Sequence, residues 1–154
     1  MKRTGFKKRS RSLNRVSKQP ISKLQKEIWE LLRQIAKIIY PNNCYTCDAK
    51  NLIGSNCQLG HLWAKASLGA FLKYDLRLLR WQCMRCNCHL GGQGAIFYAR
   101  LLEEKGKEFM AQLEKDRQIT VKAYDHYLKL KEDLTKLLAD LTSKRDSVLT
   151  KNCG

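Results

Sequence analysis

Two cysteine pairs of identical spacing, Cys44-Tyr-Thr-Cys47 and Cys83-Met-Arg-Cys86, constrain this chain more than any other feature. A C-x-x-C turn aims two sulfurs at one point, and two such turns complete the tetrahedral thiolate set that Zn²⁺ takes in structural sites. Joining them closes the chain between the two pairs into one metal-organised unit. The redox alternative needs a single C-x-x-C on a βαβ unit, and no such unit is apparent. Four thiolates fill the coordination sphere, so this zinc would hold structure and leave no open position for activating water. Cys57, Cys88 and Cys153 lack a partner at this spacing and read as free thiols, with Cys88 placed to compete weakly for the metal.

On either side the periodicity is helical. After Pro20, the residues Leu24, Ile28, Leu31, Leu32, Ile35 and Ile38 recur at helical intervals and give one apolar face. Ser22 with Gln25 has capping-box spacing, and Pro41 followed by Asn42-Asn43 is a stop, which predicts a leading helix over 21–40. Residues 41–94, rich in Cys, Gly, His and Trp, form a zinc-stapled module whose core is too small to hold itself together unaided. Over 95–154 the pattern is helical again. One piece runs through Ile96, Ala99 and Leu102 to Gly106, and another surrounds Phe109, Met110 and Leu113. A long final helix follows, N-capped by Thr120, with Val121, Tyr124, Leu128, Leu134, Leu138 and Leu141 as its stripe. That stripe is either core packing or a dimer seam. The expected class is α+β, mostly α.

Charge narrows the partners. The chain has 30 Lys+Arg against 14 Asp+Glu, a formal net charge of +16. Such a surplus draws a protein to a polyanion, and salt screens the attraction; the blander reading is a charge that serves solubility or a general affinity for ribosomes. Residues 1–20 include Lys7, Lys8, Arg9 and Arg11 and no acid, so they read as a disordered basic arm that can order along phosphates. Lys73, Arg77, Arg80 and Arg85, interleaved with Tyr74 and Trp81, make a second cationic stretch, with Arg100 just beyond. Tyr74 and Trp81 either stack on bases or fill the core. No base-specific recognition helix is apparent, so DNA would be selected by shape. No apolar run reaches the roughly 18–20 residues of a membrane span. The N-terminus lacks the apolar stretch of a signal peptide. The expected compartment is a reducing cytoplasm, where cysteines bind metal rather than form disulfides.

Two of the 3 histidines fall inside the module. His61 follows Gly60 between the cysteine pairs, and His89 ends the run Asn87-Cys88-His89 after the second pair. His126, in the final helix, reads as surface or packing. By residue type, a histidine beside zinc is a spare ligand, a packed ring, or a base active near neutral pH. The order C-x-x-C…G-H…C-x-x-C-N-x-H…G resembles the NinG (Rap) recombination nucleases of lambdoid phages, within the HNH superfamily. The likeness extends to Tyr74-Asp75, Arg77 and Gln82-Cys83, and to the segment from Gly91 to Gly106 with Tyr98, Arg100 and Leu101. The basic arm, the leading helix and the charged final helix also fit, so it covers most of the chain. It is specific in the cysteine module and weak in the flanking helices.

The resemblance implies a ββα-metal (HNH) module: a hairpin carrying His61, a short helix at the second cysteine pair, and four cysteines clamping the two together. It implies that His61 is the general base and that Asn87 holds a catalytic Mg²⁺ or Mn²⁺. His89 would be a second ligand or a phosphate contact. It implies an endonuclease acting on branched or recombining DNA of Holliday-junction or flap type, with a homodimer suited to symmetric junctions. Leu78 stands where the family's middle Asn braces the hairpin, and Asp75 is near enough to substitute. Gly60 stands where many superfamily members carry a metal-binding Asp, as it does in NinG-like proteins, so weak binding of the catalytic ion is expected. The competing reading is a non-catalytic zinc-ribbon protein that binds DNA or RNA, in which His61 and Asn87 are structural. A basic scaffold or ribosome-associated protein would have no use for the His/Asn pair.

Overall fold

Helix α1, Ile21–Ile39, starts earlier than a capping box at Ser22 would allow. Pro20 occupies the N-cap, its φ of −57° already suited to a turn, and its carbonyl accepts from the N–H groups of Lys23 at 3.0 Å and Leu24 at 3.2 Å. Ser22 therefore lies inside the first turn, and no side chain caps the helix. The computed structural model describes residues 18–151, so Lys7, Lys8, Arg9 and Arg11 of the basic arm, and Cys153, lie outside the described residues. The fold is mostly helical (65%) with one two-stranded sheet.

The strands are β1, Gln58–His61, and β2, Leu79–Gln82. They are antiparallel, with Gln58 opposite Gln82, Leu59 opposite Trp81, Gly60 opposite Arg80 and His61 opposite Leu79. A five-residue π-helical turn, Arg85–His89, follows the second cysteine pair. Then come α2, Gly94–Lys105, α3, Lys107–Asp116, and α4, Ala123–Lys151. The last helix begins at Ala123, beyond the expected Thr120 cap; its first bond runs from His126 N–H to the Lys122 carbonyl at 3.0 Å. No described helix is long and apolar enough to cross a membrane.

Two apolar clusters hold these elements. In the first, Leu24, Ile28, Leu32 and Ile35 of α1 meet Tyr127 and Leu134 of α4, with Leu59, Leu79 and Trp81 of the sheet. Tyr124, Leu138 and Leu141 pack against this cluster, so most of the α4 stripe serves as core, while Leu128, expected in the stripe, is exposed. The ammonium of Lys131 meets the Glu27 carboxylate at 2.7 Å where α4 crosses α1. The Trp81 indole N–H donates to the Ala36 carbonyl at 3.2 Å, tying β2 to α1. In the second cluster, Leu62, Leu68, Leu72 and Leu78 of the long loop between the strands pack on Phe97 and Leu101 of α2 and Met110 and Leu113 of α3.

Burial decides the aromatic question in favour of the core: Tyr74 is 3% and Trp81 2% exposed. Leu78 also fills the core and braces nothing by hydrogen bonds of its side chain. Asp75 is bonded to Arg77 two residues on, within the loop rather than across the strands. It accepts from the backbone N–H of Arg77 at 2.8 Å and from the Arg77 guanidinium at 2.7 Å, and the same guanidinium reaches Asp116 at 2.7 Å.

Candidate functional site

The four cysteines meet. The sulfurs of Cys44, Cys47, Cys83 and Cys86 all lie within 4.8 Å of one another. The Cys47–Cys83 separation is 3.7 Å, against about 3.8 Å for the edge of a tetrahedron built on Zn–S bonds of about 2.3 Å. Local backbone shapes the first turn: Asp48 adopts a left-handed φ of 60°, and the Cys44 N–H donates to the Ala49 carbonyl at 2.8 Å. The Tyr45 N–H donates to the Trp81 carbonyl at 2.8 Å, which fastens this turn to β2. In the second turn the Cys86 N–H points at the Cys83 sulfur, 3.4 Å away.

The thiols are already unequal. Burial pushes Cys44 up, but hydrogen bonds from the backbone at Cys83, Thr46 and Cys47 and from the Thr46 hydroxyl outweigh it and bring the thiol down to about 6. Cys47 is pushed up to about 12: the backbone at Ala49 lowers it, and burial together with the neighbouring cysteines raises it more. Such a set could hold a metal ion such as zinc, whose charge would deprotonate the remaining thiols. Cys57 and Cys88 are not part of it; they donate to Asn42 and to Gln58 respectively, each at 3.0 Å.

His61 ends β1. Its Nε2 lies 3.1 Å from the Lys73 carbonyl, and its ring stacks on Trp29 of α1 at a centroid distance of 5.5 Å and an interplanar angle of 0°. A carbonyl only accepts, so Nε2 carries the proton and Nδ1 keeps its lone pair, without a partner among the described residues. Burial lowers the imidazole below its usual value; the Lys73 carbonyl opposes this and the nearby Lys65 charge adds to it.

Asn87 meets the strand one residue earlier. A Cβ on Gly60 would lie 1.8 Å from Gln82 Oε1 and 3.1 Å from Asn87 Oδ1, so only glycine leaves room for both amides. Asn87 Nδ2 donates to Gln58 Oε1 at 2.8 Å, and its Oδ1 accepts no hydrogen bond among the described residues. Strand alternation separates the two faces here. Asn87 lies against Gly60 while the His61 ring turns to Trp29 on the other face, and no hydrogen bond joins the two among the described residues.

His89 is exposed at the end of the same turn as Asn87. Positions two apart on a helical turn do not face each other, and no hydrogen bond joins His89 to Asn87 among the described residues.

The expected cationic face is largely neutralised. Arg80, expected on the DNA face, is buried instead. Its side chain is 5% exposed, paired with Glu104 at 3.0 Å, donating to the Tyr40 hydroxyl at 2.9 Å and set over the Tyr40 ring. A guanidinium buried in this way has no contact left for a phosphate. Arg77 pairs with Asp75 and Asp116, and Arg100 pairs with Asp48 at 2.7 Å while donating to the Tyr45 carbonyl, bracing the first cysteine turn against α2. Lys73 and Arg85 make no ion pair among the described residues. Trp29 and Lys65 belong beside His61 and were not singled out from the sequence. Trp29 sits among the apolar residues of α1 with nothing to mark it, and Lys65 is one lysine of many.

Fold and site together define a mostly helical protein with a small two-stranded sheet and a four-cysteine cluster able to hold a metal ion. Compared with family models, with curated proteins and with solved structures, the chain matches none.

Proposed function

We propose that this chain is a metal-dependent endonuclease that hydrolyses phosphodiester bonds in branched or recombination-intermediate DNA, with His61 as general base. One observation carries the reading: the Lys73 carbonyl holds His61 Nε2, which leaves a basic Nδ1 at the end of β1. Two strands and a helical turn gathered by four thiolates suit the ββα-metal (HNH) arrangement. The net charge of +16 suits a DNA substrate held in the cytoplasm of a host cell. The branched substrate comes from the resemblance to the NinG family.

In this reading His61 Nδ1 takes a proton from water, the water oxygen bonds to phosphorus, and the P–O3′ bond breaks, the 3′-oxygen taking up a proton from solvent. The free Oδ1 of Asn87 would hold the Mg²⁺ or Mn²⁺ ion, which supplies charge stabilisation at the phosphate and the departing oxygen. One amide oxygen suits a hard ion that keeps most of its waters. His89 would be a second ligand or a phosphate contact. Cys44, Cys47, Cys83 and Cys86 would hold the zinc, which would keep strand and turn in register.

The test compares wild type with His61→Ala on linear, flapped and four-way DNA, with and without Mg²⁺. Cleavage of branched DNA should fall on the order of 10²–10⁴-fold, the scale of losing a general base, with folding and DNA binding retained. His61→Ala cutting at the wild-type rate would overturn the assignment. A second reading, a zinc-ribbon nucleic-acid binder, draws support from the stacking of His61 on Trp29 and the Asn87–Gln58 bond, both of which serve structure. Wild type that binds junctions and never nicks them, with Mg²⁺ or Mn²⁺, would favour it. Resolving a symmetric junction needs two active sites, which makes a homodimer part of the proposal.

A further inference from the structure

We infer that Lys65 is a phosphate-contacting residue of this site, an ammonium held beside His61 to receive the DNA backbone. The inference rests on the nuclease reading for what happens to the phosphate, and not for the contact itself.

Lys65 opens a short 3₁₀ turn, Lys65–Ser67, in the loop between the strands. Its Nζ lies 4.5 Å from the ring centroid of Trp29 and 4.8 Å from that of Tyr74. Trp29 is also the ring on which His61 stacks, so one indole positions both the base and the cation. Two aromatic contacts give this side chain a fixed direction, where an ordinary surface lysine swings freely, and that removes part of the ordering cost of binding.

Its charge is not neutralised. Burial and, behind it, the charge of Lys73, whose carbonyl anchors His61, both weigh against the Lys65 ammonium. Neither lysine has an acidic partner among the described residues, whereas Arg77, Arg80 and Arg100 each have one. An ammonium held on two rings beside a basic imidazole, with no acid paired to it among the described residues, would gain from an anion at that place. A phosphodiester placed for attack by water at His61 Nδ1 brings that anion.

The test uses the full-length, zinc-loaded protein with Lys65→Gln and Lys65→Arg. Lys65→Met, which keeps the apolar stem on the rings, is measured alongside in case Lys65→Gln fails to fold. Binding to a four-way DNA junction is measured across salt concentrations without added divalent ion, and single-turnover cleavage with Mg²⁺. Loss of one phosphate contact should lower the slope of log affinity against log salt by about 1. Cleavage should fall on the order of a hundredfold, as for removing one donor to a developing charge, and Lys65→Arg should recover most of both. Unchanged slope and rate in Lys65→Gln and Lys65→Met would overturn the inference, as would a drop in melting temperature with an unchanged slope. If wild type never cleaves yet Lys65→Gln flattens the salt slope, the nuclease reading falls and the contact stands. Wild type that does not bind the junction would sink both.

Discussion

His61 is the residue at which tertiary surroundings most change the chemistry. An isolated imidazole titrates near 6.5, and here burial against Trp29 and the loop lowers it, with the Lys65 charge acting in the same direction. The sign follows directly. The folded protein binds the proton more weakly than the unfolded chain, so the neutral ring persists below the ordinary value. Its contribution to stability is present above that value and is lost as the pH falls through the lowered one. The acid limb of the pH–rate profile for junction cleavage should therefore have its midpoint below about 6.5; a midpoint at or above that value would mean that His61 is solvated or is not the base. The histidine and its Gly-His setting were legible in the sequence. Its anchor on Lys73 and its stacking on Trp29 were not, because Trp29 lies in another element and shows no spacing relation to the cysteine pairs.

At the level of elements, the cysteine turns and the helices share one core. Cys44, Cys83 and Cys86 belong to the same buried cluster as Leu24, Ile28 and Ile35 of α1 and Tyr127 of α4. Loss of the ion should therefore loosen the helix pair as well as the cysteine turns. One zinc per chain is expected by atomic absorption. Removing it with a chelator, or replacing Cys83 by Ser, should lower the melting temperature of the whole transition rather than produce a separate early step. An unchanged melting temperature would contradict a structural metal. Metal affinity should weaken as the pH falls, since each thiolate must be re-formed against protons. The apolar face of α1 and both cysteine turns were readable from spacing. The helix starts were not: Pro20 and Lys122 set them through backbone bonds that compete with the side-chain caps expected at Ser22 and Thr120.

Across the whole molecule, a net charge of +16 predicts affinity for a polyanion and says little about which cations meet it. The fold sorts them. Arg77 holds the inter-strand loop to α3 through Asp75 and Asp116, the latter 6% exposed. Arg77→Gln should destabilise the protein by about 1–3 kcal/mol in thermal or urea unfolding, because it leaves the buried Asp116 with Gln112 alone. The salt slope of junction binding should stay as in wild type. A reduced slope with unchanged stability would return Arg77 to the DNA face.

What the sequence determined by itself was whatever depends on short-range spacing or on sums: the thiolate set, the apolar stripe of α1, the overall basic charge and the glycine–histidine step. What only the tertiary structure decided was the company each side chain keeps. Arg80 finds Glu104 24 positions away, Arg77 finds Asp116 39 away and Arg100 finds Asp48 52 away, while Lys65 finds two rings and no acid among the described residues. A charge is free or neutralised according to its neighbours in space, and for these residues the neighbours come from elements that local pattern does not connect.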